Sequence, residues 1–599
     1  MKSTPILVVF FCQACLVIDF IRPVQQPEFN ELTPDDPTEG GESGATGSTG
    51  STGSSGPTGT SGPVPAAWVL GLGSLSVGRV TDHGFLAELP VTNDTNGNAQ
   101  VTLRLCNRTD APGCDPSSGA GVGMLRVGQV VFAVIDELEP PDDGGDLLAV
   151  VVEATDPDGL PVLQPGAALT ASVRLATARH LYRSVGTSAT AVAAGSPALK
   201  LDVTGRFARF SSPLPDGVGV GDALVYDSDG DALVDALAIV HARHGSEKLS
   251  VRAPGGGAAN QTLTATQDFE IRRAYLRLQD TVTATENAYL PAPLRNFDTW
   301  SASFDLVGAN VAVHFACYDG PPDTGNSFFP TTWVTGPANG VHIFTPFELG
   351  HVGTSQRHDG TFNRGYRRSN ELRAAINHLW IEGLAIETTD NRGIFIYQAP
   401  GPELAVDISD TIVHLLGPAG TAAFDTYDNA GAQTSNGNAI YRLWNDVAVV
   451  DQAGDGFLMN DDWSTYLMYS LTAAVLGPGS AFLCSPSGHP SWTCVLRNAL
   501  GYAPSGNTFQ VTGGIDHCAA NDAPGLSFTG DPSNRSGQAF TFRGVSDYRL
   551  SPADAGARGR GANLTNAVQF SFSRDVEGEK RPEPPAAWDI GADQTPPAD

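Results

Sequence analysis

The chain has 599 residues, and its 65 acidic side chains against 35 basic ones give a formal net charge of -30. We expect no nucleic-acid partner, because binding to a phosphate backbone requires a basic surface. The length allows about three or four domains. Short Val-, Thr- and Phe-rich runs between Gly, Asn and Asp clusters predict an all-β chain.

The amino terminus has the features of an export signal. Lys2 precedes an apolar run from Pro5 to Phe11, the order found in secretory signal peptides. Cys15 ends a segment that resembles a bacterial lipobox, although Cys12 stands where that motif has Leu. We therefore predict a signal peptide over residues 1–15. The lipobox resemblance implies lipidation of Cys15, and an ordinary signal peptide or an uncleaved anchor is the alternative.

A segment without core-forming residues follows the signal. Residues 16–64 include a long run of Gly, Ser, Thr and Pro. Such a composition cannot bury apolar area, so we predict a disordered tether. A tether directly after a lipidated cysteine would hold a folded body away from a membrane.

Residues 65–178 alternate in short apolar runs separated by the turn signals Asn96-Gly97, Asp143-Gly144 and Asp158-Gly159. Several short strands at this spacing predict an antiparallel β-sandwich. By pattern alone the segment resembles fibronectin-type-III or immunoglobulin-like modules, which are usually spacers or binding units.

The cysteines predict two short disulfide-closed loops. Their spacing pairs Cys106 with Cys114 and Cys484 with Cys494, as an oxidising compartment permits. Cys317 and Cys518 have no partner in the sequence pattern, and we interpret them as buried free thiols.

An acidic loop lies within the β-rich region of residues 179–299. Asp227, Asp229, Asp231 and Asp235 take positions 1, 3, 5 and 9 of this loop. Calcium prefers many oxygen ligands from a tightly turning loop. The loop resembles the calcium repeats of dockerin-like and thrombospondin-type proteins, except that Ala232 replaces a Gly and Ala238 replaces the last acidic ligand. Two hypotheses follow: the loop binds a structural calcium ion, or it is an Asp- and Gly-rich hairpin without metal.

Residues 300–545 carry a repeat of about 25–30 residues, one coil of a parallel β-helix. One landmark of each unit is a small or polar residue after an apolar run. The second is a phenylalanine 11 to 14 residues further on. The first landmarks are Gly383, Asp410, Asn445, Ser470 and Asn498, and the second are Phe395, Phe424, Phe457, Phe482 and Phe509. Stacked coils would place each set in a single file, with the phenylalanines either inside the core or along one outer face.

These repeats resemble the pectate-lyase-like superfamily of right-handed parallel β-helix proteins. Three segments near the end, Asp547 to Ala557, Asp575 to Arg581 and Trp588 to Ala592, are similar to the ending of many secreted bacterial β-helix proteins. We therefore predict a cap and tail over residues 546–599. The resemblance covers roughly residues 179–593; it is specific for fold and weak for function.

Candidate chemistry is sparse. Asp461 and Asp462 resemble the paired Asp of polygalacturonases, but that family's Gly-His-Gly and Arg-Ile-Lys motifs are absent. Arg357 and His358 are the other catalytic candidates, and Arg357, Arg364, Arg367 and Arg368 could bind carboxylate or sulfate groups of sugars. The alternative interpretation is that the aspartates are solvated turn residues and that the arginine-rich run is a loop held by internal Arg–Asp pairs. No zincin, nucleophile-elbow, P-loop or dinucleotide motif occurs.

Three functions fit these patterns. The first is an exported cell-surface protein, tethered to an outer membrane, that binds a polysaccharide or envelope glycan without catalysis, as a monomer. The second is a polysaccharide lyase or glycoside hydrolase on the same fold, supported only by analogy. The third is a structural spacer of the envelope. Calcium is the one expected cofactor.

Overall fold

The computed structural model describes the strands between residues 70 and 174 and most of residues 178–595. Within the second range it omits 196–197, 203–204, 302, 349, 398–403, 418, 428–438, 461–463, 485–492, 525–527, 529, 545, 566, 568–571 and 583. The fold is all-β, with 44% strand and 3% helix. Among the described residues, no helix has the length and apolar character needed to cross a membrane.

Residues 70–174 form two mainly antiparallel sheets. The strands of one are Leu70–Leu72, Ser76–Gly78, Phe85–Thr92, Leu125–Val127, Val130–Ile135 and Val162–Leu163, and those of the other are Gln100–Asn107, Ala120–Gly123, Leu147–Thr155 and Thr170–Arg174. Leu89, Leu103 and Val152 are buried side chains of these sheets. In the strand Gln100–Asn107, buried Val101 and Leu103 alternate with half-buried Thr102 and Arg104, the two-residue period of a strand with one buried face.

Three long parallel sheets dominate the remainder. The first contains Arg179–Val185, Val311–Cys317, Val341–Phe344, His378–Glu382, Leu404–Ser409, Ala439–Trp444, Ser464–Tyr469, Thr493–Arg497 and Gly513–Asp516. The second contains Arg367–Arg368, Ala385–Thr388, Ile412–Leu415, Val447–Val450, Thr472–Val475, Leu500–Tyr502 and Ala519–Ala520. The third contains Ser327–Phe329, Leu372–Ala374, Arg392–Tyr397, Ala419–Tyr427, Ala453–Asn460, Ser480–Cys484 and Asn507–Val511.

From residue 378 to residue 511 the chain visits the first, second and third sheets in that order, once per turn. Each strand pairs in parallel with the equivalent strand one turn later. We call this arrangement of turns the stack. One continuous apolar core fills its interior, because a turn by itself cannot bury its inward side chains. This winding is compatible with a parallel β-helix.

The stack begins before the sequence-based boundary at residue 300. Arg179–Val185 pairs along its whole length with Val311–Cys317. The intervening chain forms an antiparallel sheet, which we call the inserted sheet, with strands Ala193–Ala194, Leu199–Leu201, Phe207–Phe210, Ala223–Tyr226, Ala236–Arg243, Lys248–Arg252 and Phe269–Arg272. This insertion separates the first two strands of the first sheet in the sequence. The start of the repeat is therefore not recognisable from the sequence.

Short elements close the two ends of the stack. The helix Leu278–Val282 contributes apolar side chains to the core at the amino-terminal end. A 3₁₀ turn at Ala292–Leu294, a two-stranded parallel ladder of Phe304–Asp305 with Trp333–Val334, and the helix Leu306–Ala309 complete this end. At the other end, Arg535 exchanges backbone hydrogen bonds with Cys518 and Ala520 at 2.8 Å each.

The predicted file of small and polar residues is confirmed. Gly383, Asp410, Asn445, Ser470 and Asn498 each follow a strand of the first sheet, and all have positive φ. The backbone N–H of each of the first four donates to the carbonyl of the residue before the next member, and that of Asn498 donates to the carbonyl of Asp516, at 2.8 to 3.3 Å. The left-handed conformation turns the chain sharply from the first sheet into the second, and it explains the residue types at these positions.

The phenylalanine file lies inside the core, with one exception. Phe424, Phe457, Phe482 and Phe509 are in register and stacked, with ring centroids 4.6 to 5.1 Å apart. Phe395 is the exception, because Ile394 pairs with Phe424 in its place. A displacement of one residue turns Phe395 to the outer face of the third sheet.

The carboxy-terminal segment packs along the side of the stack. Apolar residues of this segment, among them Leu550, Val576 and Ile590, cover the outer face of the second sheet. The guanidinium of Arg581 donates to the Oδ1 of Asn445 at 3.1 Å and to the carbonyl of Ala592 at 2.6 Å. The conspicuous polar residues of the ending are therefore engaged in holding the segment against the stack.

Candidate functional site

The arginine-rich run of residues 357–368 is used mainly inside the protein. Arg357 is buried and lies 3.6 Å from the ring centroid of Phe347. Its guanidinium forms an ion pair with Glu382 and lies 3.4 Å from a carboxylate oxygen of Asp410. A ligand anion would have to displace both carboxylates.

His358 is enclosed in the same region. Its Nε2 lies 2.7 Å from the carbonyl oxygen of Asp410, and the backbone N–H of Gly360 donates to its Nδ1 at 3.2 Å. Burial, reinforced by the charge of Arg357, lowers the pKa of His358 to about 3. His358 is therefore a neutral imidazole at pH 7, with both nitrogens engaged.

The other three arginines of the run do not share one surface. Arg368 is fully buried and pairs with Asp323 at 3.3 Å. Arg367 donates to the carbonyl of Gly320 at 2.9 Å, whereas Arg364 is exposed. Because these arginines contact different parts of the fold, the run does not form a common anion site.

The acidic loop brings three of its four predicted ligands together. Carboxylate oxygens of Asp227, Asp229 and Asp231 lie within 4.8 Å of one another. Asp235 instead accepts hydrogen bonds from the backbone and hydroxyl of Ser228 at 2.8 and 3.0 Å. Backbone N–H groups, above all that of Gly230, lower the pKa of Asp227.

Of the two predicted disulfides, Cys484–Cys494 is present. Cys317 and Cys518 are buried free thiols, as the sequence indicates. Asp461, Asp462, Cys15 and the tether of residues 16–64 lie outside the described residues, as does Cys114, the predicted partner of Cys106.

Sequence reasoning did not find the outer face of the third sheet. Phe328, Arg373 and Phe395 occupy neighbouring rungs in register. Tyr397 and Tyr427 form a second pair in register, with ring centroids 5.7 Å apart. We call the surface formed by these five residues and Arg392 the aromatic face.

Two members of the aromatic face are well exposed although they are large and apolar. Phe328 is 43% exposed and Tyr427 is 40% exposed. Tyr397 is half-buried and meets Phe395 edge-on at 5.3 Å. Large aromatic side chains exposed on one face of a sheet are typical of a binding surface.

Arginine side chains hold the rings of the aromatic face. The guanidinium of Arg373 lies 5.5 Å from the ring centroid of Phe328 and 5.4 Å from that of Phe395. The guanidinium of Arg392 lies 4.2 Å from the centroid of Phe395. Cation–π contacts of this kind restrict both partners and preorganise the surface.

Carboxylates border the aromatic face. Asp425 forms an ion pair with Arg392, and Glu371 lies 3.8 Å from Arg373. Burial raises the pKa of both carboxyl groups, and the neighbouring arginine opposes the shift in each case. Polar groups with defined partners thus lie directly beside the exposed rings.

A second unpredicted feature is a row of histidines on the outer face of the first sheet. His314 Nε2 lies 2.9 Å from His180 Nδ1, and its Nδ1 lies 3.4 Å from His342 Nδ1. His342 Nε2 lies 3.3 Å from Glu382, and the His342 ring stacks on Trp380 at 3.9 Å. The anionic Glu382 requires a proton on His342 Nε2, which leaves His342 Nδ1 as an acceptor for His314.

No family model, no curated protein and no solved structure matches this chain.

Proposed function

We propose that this chain is an exported cell-surface protein that binds carbohydrate through the aromatic face. The observation that carries this proposal is the exposure of Phe328 and Tyr427 on the same outer face of one sheet, beside arginine and aromatic side chains. A pyranose ring offers a flat apolar face to such rings and hydroxyl groups to bordering carboxylates and guanidiniums. A repeating surface suits a repeating polymer, since the rungs recur at roughly 4.8 Å.

The scaffold in this proposal is a right-handed parallel β-helix of the pectate-lyase-like superfamily. The regular visits to three parallel sheets support it, and parallel crossovers are almost always right-handed. The ending of residues 546–599 supports the same class, because its signature residues dock the carboxy-terminal segment on the stack. The two sheets of residues 70–174 are proposed to form a fibronectin-III- or immunoglobulin-like sandwich.

The cellular setting is proposed from the amino-terminal sequence. The signal-like residues 1–15 and Cys15 support an outer-membrane lipoprotein, and the composition of residues 16–64 supports a tether. A structural calcium ion at Asp227, Asp229 and Asp231 is proposed from their convergence. The disulfide Cys484–Cys494 fits an oxidising compartment.

The binding proposal is tested by affinity electrophoresis of the purified chain against a polysaccharide panel. Phe328→Ala and Tyr427→Ala should each weaken binding about tenfold, the change expected from the loss of roughly 1.4 kcal/mol of contact energy. Tyr289→Ala is the control, because Tyr289 is 54% exposed and belongs to a different part of the fold. Binding that is unchanged in the two face variants would exclude this surface.

A second candidate function is cleavage of the bound glycan. The position of Glu371 beside the exposed rings favours it, and burial raises the pKa of this carboxyl group, the direction that a general acid requires. Release of reducing or unsaturated ends during incubation with the panel, lost in Glu371→Gln, would establish catalysis. Binding without such release would support the non-catalytic function.

A further inference from the structure

The charge around the aromatic face restricts the chemistry of its ligand. Its two guanidiniums, those of Arg373 and Arg392, are each paired with a carboxylate, Glu371 and Asp425 respectively. A third carboxylate, Asp390, accepts the backbone N–H of Glu371 at 2.8 Å. Three acids against two bases leave this patch with an excess of negative charge when all are ionised.

The long-range field has the same sign. The chain has a formal net charge of -30, so a polyanion would be repelled before it reached the surface. On contact, each anionic group would also have to displace a carboxylate from Arg373 or Arg392. Removing one partner of a close ion pair leaves the other charge uncompensated, which is costly where the pair is largely buried.

We infer that the aromatic face selects neutral polysaccharides and rejects polyuronates and sulfated glycans. This inference rests on the proposed function. A neutral hexose stacks on the exposed rings of Phe328 or Tyr427 without disturbing the ion pairs. Its hydroxyls donate to the carboxylate of Glu371 and accept from the guanidinium N–H groups.

The geometry of the ion pairs supports this selectivity. Arg392 is held between Asp425 and the ring of Phe395, so its position is set by two partners. The side chain of Arg373 is 49% exposed but lies between the rings of Phe328 and Phe395. Both guanidiniums therefore present N–H groups at fixed positions. Donors at fixed positions suit the recognition of sugar hydroxyls better than mobile cationic side chains would.

The test is affinity electrophoresis with β-glucan, xylan and galactomannan as neutral probes, and with polygalacturonate, alginate and heparin as anionic probes. All probes are used with EDTA and again with calcium. We expect retardation by at least one neutral probe, insensitive to salt and to EDTA, and lost in the double variant Phe328→Ala/Tyr427→Ala. No anionic probe should retard the chain under either condition.

A charge variant sharpens the test. Glu371→Lys frees Arg373 and reverses the local charge, and it should produce binding to polygalacturonate at least about fivefold above the wild type. Glu387→Lys is the control, because it makes the same charge change on the second sheet, at a side chain that is 49% exposed against 19% for Glu371. This control should not gain anionic binding.

The outcomes separate the two proposals. Anionic binding by the wild type that is lost in the double variant would overturn the neutral selectivity and leave carbohydrate binding at this face intact. Anionic binding that requires calcium would also overturn it, because a bridging cation would then supply the recognition. Binding of no probe would overturn both proposals.

Discussion

Single residues in the left-handed conformation shape each turn of the stack. Asn498 has a φ of 54°, and Asp410 and Asn445 have values of 50° and 56°. Other side chains with a Cβ cost roughly 1–2 kcal/mol in this region, whereas Gly, Asn and Asp tolerate it. Asn498 also receives the backbone N–H of Ala562 at 2.7 Å and donates to its carbonyl at 2.8 Å. Its side chain therefore connects the turn to the carboxy-terminal segment.

Two substitutions at this position should separate its two roles. Asn498→Gly keeps the backbone conformation but loses two hydrogen bonds, and it should cost about 1–3 kcal/mol of unfolding free energy. Asn498→Ala loses the same bonds and adds backbone strain, so it should cost about 1 kcal/mol more. Urea unfolding followed by tryptophan fluorescence measures both. An alanine variant as stable as the glycine variant would contradict the strain argument.

At the scale of elements, the register of the third sheet decides which side chains meet. Phe424, Phe457, Phe482 and Phe509 share one inward file, because the side-chain period of a strand is two residues. Phe395 is placed outward although its distance from Gly383 resembles that of the other members. The same displacement brings it beside Arg373 and Arg392 and so creates the aromatic face.

The inward file should contribute strongly to stability. Phe482 is fully buried between Phe457 and Phe509. Phe482→Ala should lower the free energy of unfolding by about 3–5 kcal/mol, because it leaves a cavity in a close-packed core. Phe328→Ala is the matched control on the outer face, with an expected change of about 0.5 kcal/mol. Equal losses in the two variants would show that the file is not a core element.

At the scale of the whole molecule, the inserted sheet covers the first rungs of the stack. Tyr182 and Phe344 of the first sheet pack with Val220 of the insertion. The ring of Tyr182 also meets His241 of the inserted sheet edge-on at 5.0 Å. The histidine row therefore lies beneath a layer that is distant in sequence, and its burial is a property of the assembled molecule.

That burial gives the molecule a defined dependence on pH. Burial, followed by the neighbouring histidines, holds the pKa of His314 well below its usual value of 6.5. Burial also lowers the pKa of His342, with Glu382 opposing the shift. Below pH 6.5 the unfolded chain thus binds more protons than the folded chain. The contribution of these histidines is complete above that pH and is lost as the pH falls.

Comparison with a histidine variant separates the pH dependence due to His314 from that of carboxyl groups that titrate in the same pH range. Between pH 6.5 and 5, the wild type should lose more unfolding free energy than His314→Gln, by up to about 1.4 kcal/mol per pH unit. Urea midpoints at several pH values provide the measurement. His517→Gln is the control, because its side chain is 38% exposed. Parallel stability curves for the wild type and His314→Gln would contradict the prediction.

The sequence by itself determined the features that repeat locally. The left-handed turns are visible because only a few residue types tolerate their backbone, as at Gly383, Asp410, Asn445 and Asn498; Ser470 is the exception to this preference. The phenylalanine repeat and the disulfide Cys484–Cys494 followed from spacing alone, whereas the face that the phenylalanines occupy did not. All of these depend on residues at most one turn apart.

Features that depend on contacts between residues far apart in the sequence were decided only by the tertiary structure. Arg357 and His358 look like free functional groups in the sequence, but Glu382 and Asp410 enclose them. The pairing of Arg179–Val185 with the stack depends on an insertion whose length a repeat search does not bridge. The aromatic face depends on a one-residue register, which is set by how whole turns stack and not by any local preference.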